Sequence, residues 1–408
     1  MQYFNELQLQ QPIAQALQSM RFEKPTPIQA QAIPLAIDRK DIIACAQTGT
    51  GKTAAFGIPI IDRLLKHPQK TALILVPTRE LAAQVTEVLK DLTRFAPSIN
   101  GAILIGGMSI RPQIEKLRRG VRLVVATPGR LLDHLDRRTL DFKSLDILVL
   151  DEADRMLDMG FAPQLNKILP YLPKTRQTLL FSATLPANIE QLSARYLTHP
   201  VRVTVGPVSR PVEKIQQSIV ETTAAGKNET LVDELHTRKG SVLIFARTKA
   251  RTDRVARHLK KYGHSVTRLH GDRTQGQRNS AMAGFRDGRF RILVATDIAA
   301  RGIDIRHIAN VINYDLPLVP EDYLHRIGRT ARAGAEGQAV SFITPEDKAQ
   351  WRAISTFLGK TGKSSAVFAG PRGEPASKFS GNTSASRKKF SGKPRRSNPR
   401  RRPAGRPA

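Results

Sequence analysis

The sequence predicts an α/β chain of two tandem parallel sheets flanked by helices, followed by a basic tail with no core of its own. Three observations predict it. Short aliphatic runs alternate with helical segments, and parallel strands buried on both faces read as such continuous runs. The alternation breaks at Val205-Gly206-Pro207-Val208-Ser209-Arg210-Pro211, which has the Gly/Pro content of a linker, and then restarts. The chain of 408 residues also exceeds what one core ordinarily serves. The expected boundaries are 1–205 for the first domain, 206–214 for the linker, 215–358 for the second domain and 359–408 for the tail.

In the first half the expected strands are Asp41–Cys45, Ala72–Val76, Ala102–Ile105, Leu123–Ala126, Ile147–Leu150 and Thr178–Phe181. In the second they are Ser241–Ala246, Val266–Leu269, Ile292–Ala295, Val311–Asn313 and Ala339–Ile343. No close sequence repeat relates the halves. From Gly359 the composition turns to Ser, Gly, Pro, Lys and Arg, which cannot bury enough apolar surface to fold alone.

Net charge is +30, and fourteen Lys/Arg against the single acid Glu374 place +13 of it after residue 358, leaving +17 for residues 1–358. Such an excess points to polyanions, nucleic acid before anionic membrane. No apolar stretch reaches membrane-spanning length, and the amino terminus lacks a basic-then-apolar signal pattern, so a cytoplasmic location is expected. The single cysteine, Cys45, excludes an internal disulfide, and nine scattered histidines offer no metal-ligand spacing.

The chemistry begins with Ala46-Gln47-Thr48-Gly49-Thr50-Gly51-Lys52-Thr53, between the first strand and a helix opened by Ala54-Ala55-Phe56. Strand, loop and helix are the setting of a phosphate cradle: glycines admit backbone N–H groups to an anion, Lys52 reaches the β/γ-phosphates and Thr53 offers a hydroxyl to Mg²⁺. Ala46 stands where the strict pattern has its first glycine, and without its setting the loop would read as a turn. Asp151-Glu152-Ala153-Asp154 follows the buried-type run Ile147–Leu150, placing carboxylates at the end of a parallel strand. A loop for phosphates and an acidic strand end for the metal make an NTPase.

Further motifs follow the same logic. Ser182-Ala183-Thr184 succeeds a strand and can sense the neighbouring phosphate site. In His325-Arg326-Ile327-Gly328-Arg329-Thr330-Ala331-Arg332 the three-residue spacing puts Arg326, Arg329 and Arg332 near one helix face, suited to supplying charge in trans. Thr296-Asp297 and Arg301-Gly302-Ile303-Asp304 lie at a strand end, where open α/β sheets bind ligands. The second half has no phosphate loop of its own; Gly359-Lys360-Thr361 follows a helix end, with no strand leading into it.

Together these residues resemble the DEAD-box RNA helicases over roughly residues 4–358, in motif order, and between motifs the sequence looks most like the bacterial RhlE group. Phe22-Glu23-Lys24-Pro25-Thr26-Pro27-Ile28-Gln29, with Phe4 upstream, matches the family's adenine-reading element. Two departures are Arg21, where glycine is usual before Phe22, and Ala331, where glycine is commoner. The resemblance implies two RecA-like domains, with ATP bound by the first and its site completed by the second. It implies that Gln29 reads adenine with Phe22, Phe4 and Pro27 beside it, and that Ala46–Thr53 hold the phosphates, Thr53 and Asp151 the Mg²⁺. Glu152 would activate water, Arg329 and Arg332 act as fingers beside Lys52, and Gly302 and Asp304 meet the nucleotide. RNA would be contacted by Pro77, Thr78, Arg79, Gly106, Gly107, Thr127, Pro128, Gly129, Arg130, Gln275, Arg278 and Thr296. Ser182, Thr184, Asp154 and His325 would couple the two activities.

Those RNA motifs are Thr, Arg, Gly and Pro, which offer phosphate and 2′-OH contacts rather than base stacking, so binding largely without sequence preference is expected. The expected partners are single-stranded RNA and short duplexes, with ribosomal precursors or RNA-degradation machinery as further candidates and a monomeric core. An ATP-gated RNA clamp or ribonucleoprotein assembly scaffold is the alternative reading, and a DNA helicase of the same superfamily a third.

Overall fold

The structure is a computed structural model that describes residues 1–46, 49–205, 215–300, 308–331 and 336–360. The expected linker 206–214 and the tail beyond residue 360 lie outside the described residues, and the last helix, Lys348–Lys360, runs two residues past position 358. Both sheets belong to one compact unit.

The first sheet has seven strands, β1 (Ile42–Cys45), β2 (Thr71–Leu75), β3 (Gly101–Leu104), β4 (Leu123–Ala126), β5 (Leu145–Leu150), β6 (Gln177–Ser182) and β7 (Val201–Thr204), in the order β3-β4-β2-β5-β6-β1-β7. The second has six, β8 (Ile215–Glu221), β9 (Val242–Phe245), β10 (Val266–Leu269), β11 (Ile292–Ala295), β12 (Asn310–Asn313) and β13 (Gly337–Ile343), in the order β10-β11-β9-β12-β13-β8. All pairings are parallel. Alternate residues feed opposite cores: Ile42, Ile74, Val149 and Phe181 pack on one face of the first sheet, Ile43, Leu73, Leu150 and Leu180 on the other. Leu243, Phe245 and Leu293 are likewise separated from Val242, Ile244 and Val294 in the second.

Two strands differ from expectation. β7 and β8 were not foreseen because both are edge strands with partly exposed faces: Val201-Arg202-Val203-Thr204 alternates apolar with polar, and Ile215-Gln216-Gln217-Ser218 sets three polar residues after one isoleucine, so neither runs aliphatic. With them in place a repeat appears that the sequence hides. The order β10-β11-β9-β12-β13-β8 repeats β3-β4-β2-β5-β6-β1 strand for strand. β1 leads to the helix Lys52–Lys66 and β8 to the helix Lys227–Thr237, each opening on a buried lysine. At the second of these places Lys227 Nζ meets Asp315 Oδ1 at 3.4 Å and Asp347 Oδ2 at 3.2 Å and lies over the Tyr314 ring.

Candidate functional site

The phosphate loop joins the ends of β1 and β6, since Ala46 N donates to Ser182 O at 3.0 Å. Gly49 and Gly51 take φ of +83° and +89°, left-handed values that a side chain resists. Lys52 opens the helix, and its buried Nζ donates to Ala46 O at 2.9 Å, folding the loop on its own backbone. Gln47 and Thr48 lie outside the described residues. Gln29 is buried, and both ends of its amide are engaged: Oε1 accepts from Thr26 N at 2.9 Å and Nε2 donates to Gly51 O at 3.1 Å. It therefore caps the helix Pro27–Ile37 and ties that helix to the loop. Phe4 and Phe22 stack with centroids 6.1 Å apart.

The acidic motif continues β5. Asp151 N donates to Leu75 O at 2.9 Å, and Glu152, at φ +53°, starts the helix Ala153–Asp158. Burial pushes the Asp151 carboxyl up to about 7, against the opposing charge of Lys52 and with Glu152 and Asp154 adding to the rise. Asp151 and the half-buried Thr53, next to Lys52 in the chain, offer oxygen donors of the kind a hard cation takes. Among the described residues no group of three or more His, Cys, Asp or Glu could hold a metal ion. Glu152 is paired with the buried guanidinium of Arg155, one turn along, a partner sequence reasoning missed although its i+3 spacing was readable.

Asp154 is the junction with the hydroxyl motif. Its Oδ2 accepts from Ala183 N at 2.9 Å, Thr184 N at 3.0 Å and Thr184 Oγ1 at 3.2 Å. Ser182 Oγ donates to Thr184 O at 2.6 Å. Burial would raise the Asp154 carboxyl, but nearby positive charge, Lys52 foremost, holds it below the usual range. Arg155 shares a small cleft with Asp297, Asp322, His325 and Arg329.

The arginine spacing is not realised on one helix face. The helix Pro320–Ile327 stops before Arg329, and Arg332, Gly302 and Asp304 lie outside the described residues. Arg326 is fully buried and committed: it pairs with Asp297, donates to Asn313 Oδ1 at 3.1 Å and Asp315 O at 2.6 Å, and lies 4.9 Å from the Phe245 centroid. Arg329 is 4% exposed and its Nε donates to His325 O at 3.2 Å. Both departures from the family's glycines, Arg21 and Ala331, adopt positive φ, +56° and +54°. The glycine preference at these positions thus has a backbone cause.

The residues expected to contact RNA gather at the carboxyl ends of the adjacent strands β3, β4 and β2. Thr78 caps the helix Arg79–Leu92 by accepting from Leu81 N at 3.2 Å, next to Pro77, and Thr127-Pro128-Gly129-Arg130 opens the helix Pro128–Asp136. The Arg79 guanidinium lies so close over Gly106 and Gly107 that a Cβ on Gly107 would meet its Nη1 at 1.8 Å. Arg130 Nη2 donates to Met108 O at 3.1 Å, and Gln113 Nε2 to Ile105 O at 3.2 Å, with buried His134 behind Gln113. From the second sheet, Gln275 Oε1 accepts from Arg79 Nη1 at 3.5 Å, and Thr296 closes β11. Arg278 is held by Glu80: its Nε lies 2.7 Å from Glu80 Oε1, both side chains buried, and its Nη1 donates to His270 O. Glu80 was not foreseen as this partner.

Comparison with known proteins agrees with this geometry. Residues 26–192 match the DEAD/DEAH box helicase family and residues 226–334 the helicase conserved C-terminal domain. The DEAD-box ATP-dependent RNA helicase CshA of Bacillus subtilis is 44% identical over 355 residues, 86% of this chain and 71% of that protein. CshA of Geobacillus kaustophilus is 44% identical over 349 residues, 85% and 74% of the two chains. Dbp5 of S. cerevisiae bound to RNA and ADP BeF3 superposes with a TM-score of 0.81 at 32% identity, covering 90% of this chain and 96% of that one. A DEAD box protein from Methanococcus jannaschii, 40% identical over 88% and 98% of the chains, reaches only 0.50.

Proposed function

The chain belongs to the DEAD/DEAH box helicase family, and we propose that it is an ATP-dependent RNA helicase that separates short duplexes or remodels RNA–protein complexes while hydrolysing ATP. The observation that carries this reading is the meeting of both halves at one site, where Arg155 faces His325 and Arg329 while Glu80 grips Arg278. In this reading the phosphates displace the Lys52–Ala46 contact and take the ammonium. Glu152, positioned by Arg155, accepts the proton of the attacking water. Arg329 and Arg332 offset charge that develops on the transferred phosphoryl group. Thr53 and Asp151 would hold Mg²⁺, which when bound would supply charge neutralisation to the phosphates. Asp154 passes the state of the phosphate site to Ser182–Thr184 and His325. Pro77–Arg79, Gly106–Gly107, Thr127–Arg130, Gln275 and Thr296 take the RNA backbone without reading its sequence.

The domain limits 1–205 and 215–358, a cytoplasmic location, a monomeric core, the RhlE-like character of the inter-motif sequence and a role in ribosome assembly or RNA degradation are parts of the same proposal. Among the described residues no helix is long and apolar enough to cross a membrane. The alternative output, an ATP-gated clamp, is favoured by the buried Glu80–Arg278 contact, which joins the halves. Duplex release measured with ATP and with a nonhydrolysable analogue, beside RNA-stimulated ATPase, tests both. Duplex release under both nucleotides, with turnover under ATP, supports the helicase; RNA held under both without release supports the clamp; absence of RNA-stimulated ATPase removes the helicase.

A further inference from the structure

The helix Lys249–Lys261 follows β9 in the second half, as the helix Arg79–Leu92 follows β2 in the first. Each is capped by a threonine hydroxyl, Thr248 accepting from Arg251 N and Thr78 from Leu81 N. The two differ in charge. Arg79–Leu92 carries two basic and three acidic residues, whereas Lys249–Lys261 carries six basic residues and one acid, Asp253. The fold position therefore does not require the excess.

The excess is also arranged. Thr252, Val255, Ala256 and Leu259 face the core, and Arg254, Arg257, Lys260 and Lys261 are exposed on the opposite arc. Arg254, Arg257 and Lys261 fall at helical spacing in one row, which ends at Tyr262, 55% exposed and tilted against His258 at 4.8 Å. Among the described residues no carboxylate pairs with any of these four basic residues; Asp253 is taken by Arg268 and His270. A surface that only needed solvation would mix both signs, as the first-half counterpart does. The helix is also joined to the residues at the strand ends: Asp253 bonds His270, whose carbonyl accepts from Arg278.

We propose that this face, from Arg254 to Tyr262, is a second RNA-binding surface that takes backbone phosphates of the strand or duplex flanking the segment held by the core. The row from Arg254 to Lys261 spans seven residues of helix, about 10 Å at 1.5 Å per residue, the run of about three phosphates along one strand. The face extends the footprint without reading sequence, and Tyr262 offers a ring to an unpaired base at its far end. The inference rests on the RNA-helicase reading above.

The test compares the full chain with a variant carrying Arg254→Glu, Arg257→Glu and Lys261→Glu, and with the matching Gln variant, across a salt series. The probes are a uridine oligonucleotide short enough to fill only the core contacts and long poly-uridine. Affinity for the long RNA is expected to fall about tenfold or more at low salt, with the slope of log affinity against log salt reduced by about 2, three charges at about 0.7 each. The Gln variant falls between. Short-oligonucleotide binding and the ATPase it stimulates at saturation stay at the parent level in both. Unchanged long-RNA affinity overturns the proposal and leaves an acidic protein surface as the occupant. An equal loss on the short oligonucleotide overturns it too, by placing the residues in the core contact or in the fold. Because the short oligonucleotide reports the core alone, a parent chain whose ATPase it fails to stimulate strikes the helicase reading, while the long-RNA arm still judges this face.

Discussion

Removing Glu80 or Arg278 gives the sharpest reading of how the two halves close. Their contact, 2.7 Å between Arg278 Nε and Glu80 Oε1, is buried, with side chains only 9% and 8% exposed. When the halves part, both groups return to water. Losing one partner of a buried pair leaves the other charge uncompensated in the joined arrangement, at a cost of about 3–5 kcal/mol. That corresponds to a shift of roughly two to nearly four orders of magnitude in the population of the joined state. Glu80→Ala should therefore raise the RNA concentration needed for half-maximal closure by about that factor, read by energy transfer between dyes on the two halves. Nucleotide affinity without RNA should hold, because Glu80 touches none of the nucleotide residues. Arg278→Ala should behave alike, and the double variant should recover much of the loss, since no charge is left stranded. If the two single effects simply add, Arg278 contacts RNA on its own account and the bridge reasoning is refuted.

Glu152→Gln should retain ATP and RNA binding and stop turnover, leaving a long-lived closed complex; near-parental ATPase would remove Glu152 from its role. Gln29→Ala loses both amide contacts, to Thr26 N and Gly51 O, so the melting temperature should drop by the equivalent of about 1 kcal/mol and the ATP concentration for half-maximal ATPase should rise. Parallel ATPase and GTPase assays then show whether base preference moves as well. Arg21→Gly and Ala331→Gly should each be neutral or stabilising by up to about 1 kcal/mol in denaturant titration, since both residues sit at positive φ; a marked loss would mean their side chains do more than tolerate the turn. Deleting residues 359–408 should weaken RNA binding and flatten its salt dependence with saturated ATPase kept, because the segment carries +13 and none of the nucleotide motifs.

The core strands were legible because burial on both faces makes them continuous aliphatic runs, as in β5 and β9. β7 and β8 were not, because an edge strand with an exposed face carries Arg202, Gln216 and Ser218 and reads as loop. The phosphate loop and acidic motif were legible from a strand and a helix in the right order. The fates of individual arginines were not: Arg326 and Arg329 look equivalent by spacing, yet a helix end at Ile327 and the nearness of Asp297 bury the first in a structural network. Spacing specifies a face only while the helix lasts. Gln29 shows the same limit, since a motif names the residue but not the neighbours, Thr26 and Gly51, that its amide has found.

The matching lysines of the two halves have a mechanical consequence. Lys52 rests on a neutral carbonyl that an incoming anion can replace, whereas Lys227 is saturated by Asp315 and Asp347, anions belonging to the chain itself. One slot is built for exchange and its twin is welded shut. Nucleotide can then add to the stability of the first half in proportion to the logarithm of its concentration over its dissociation constant, and adds nothing at the sealed twin.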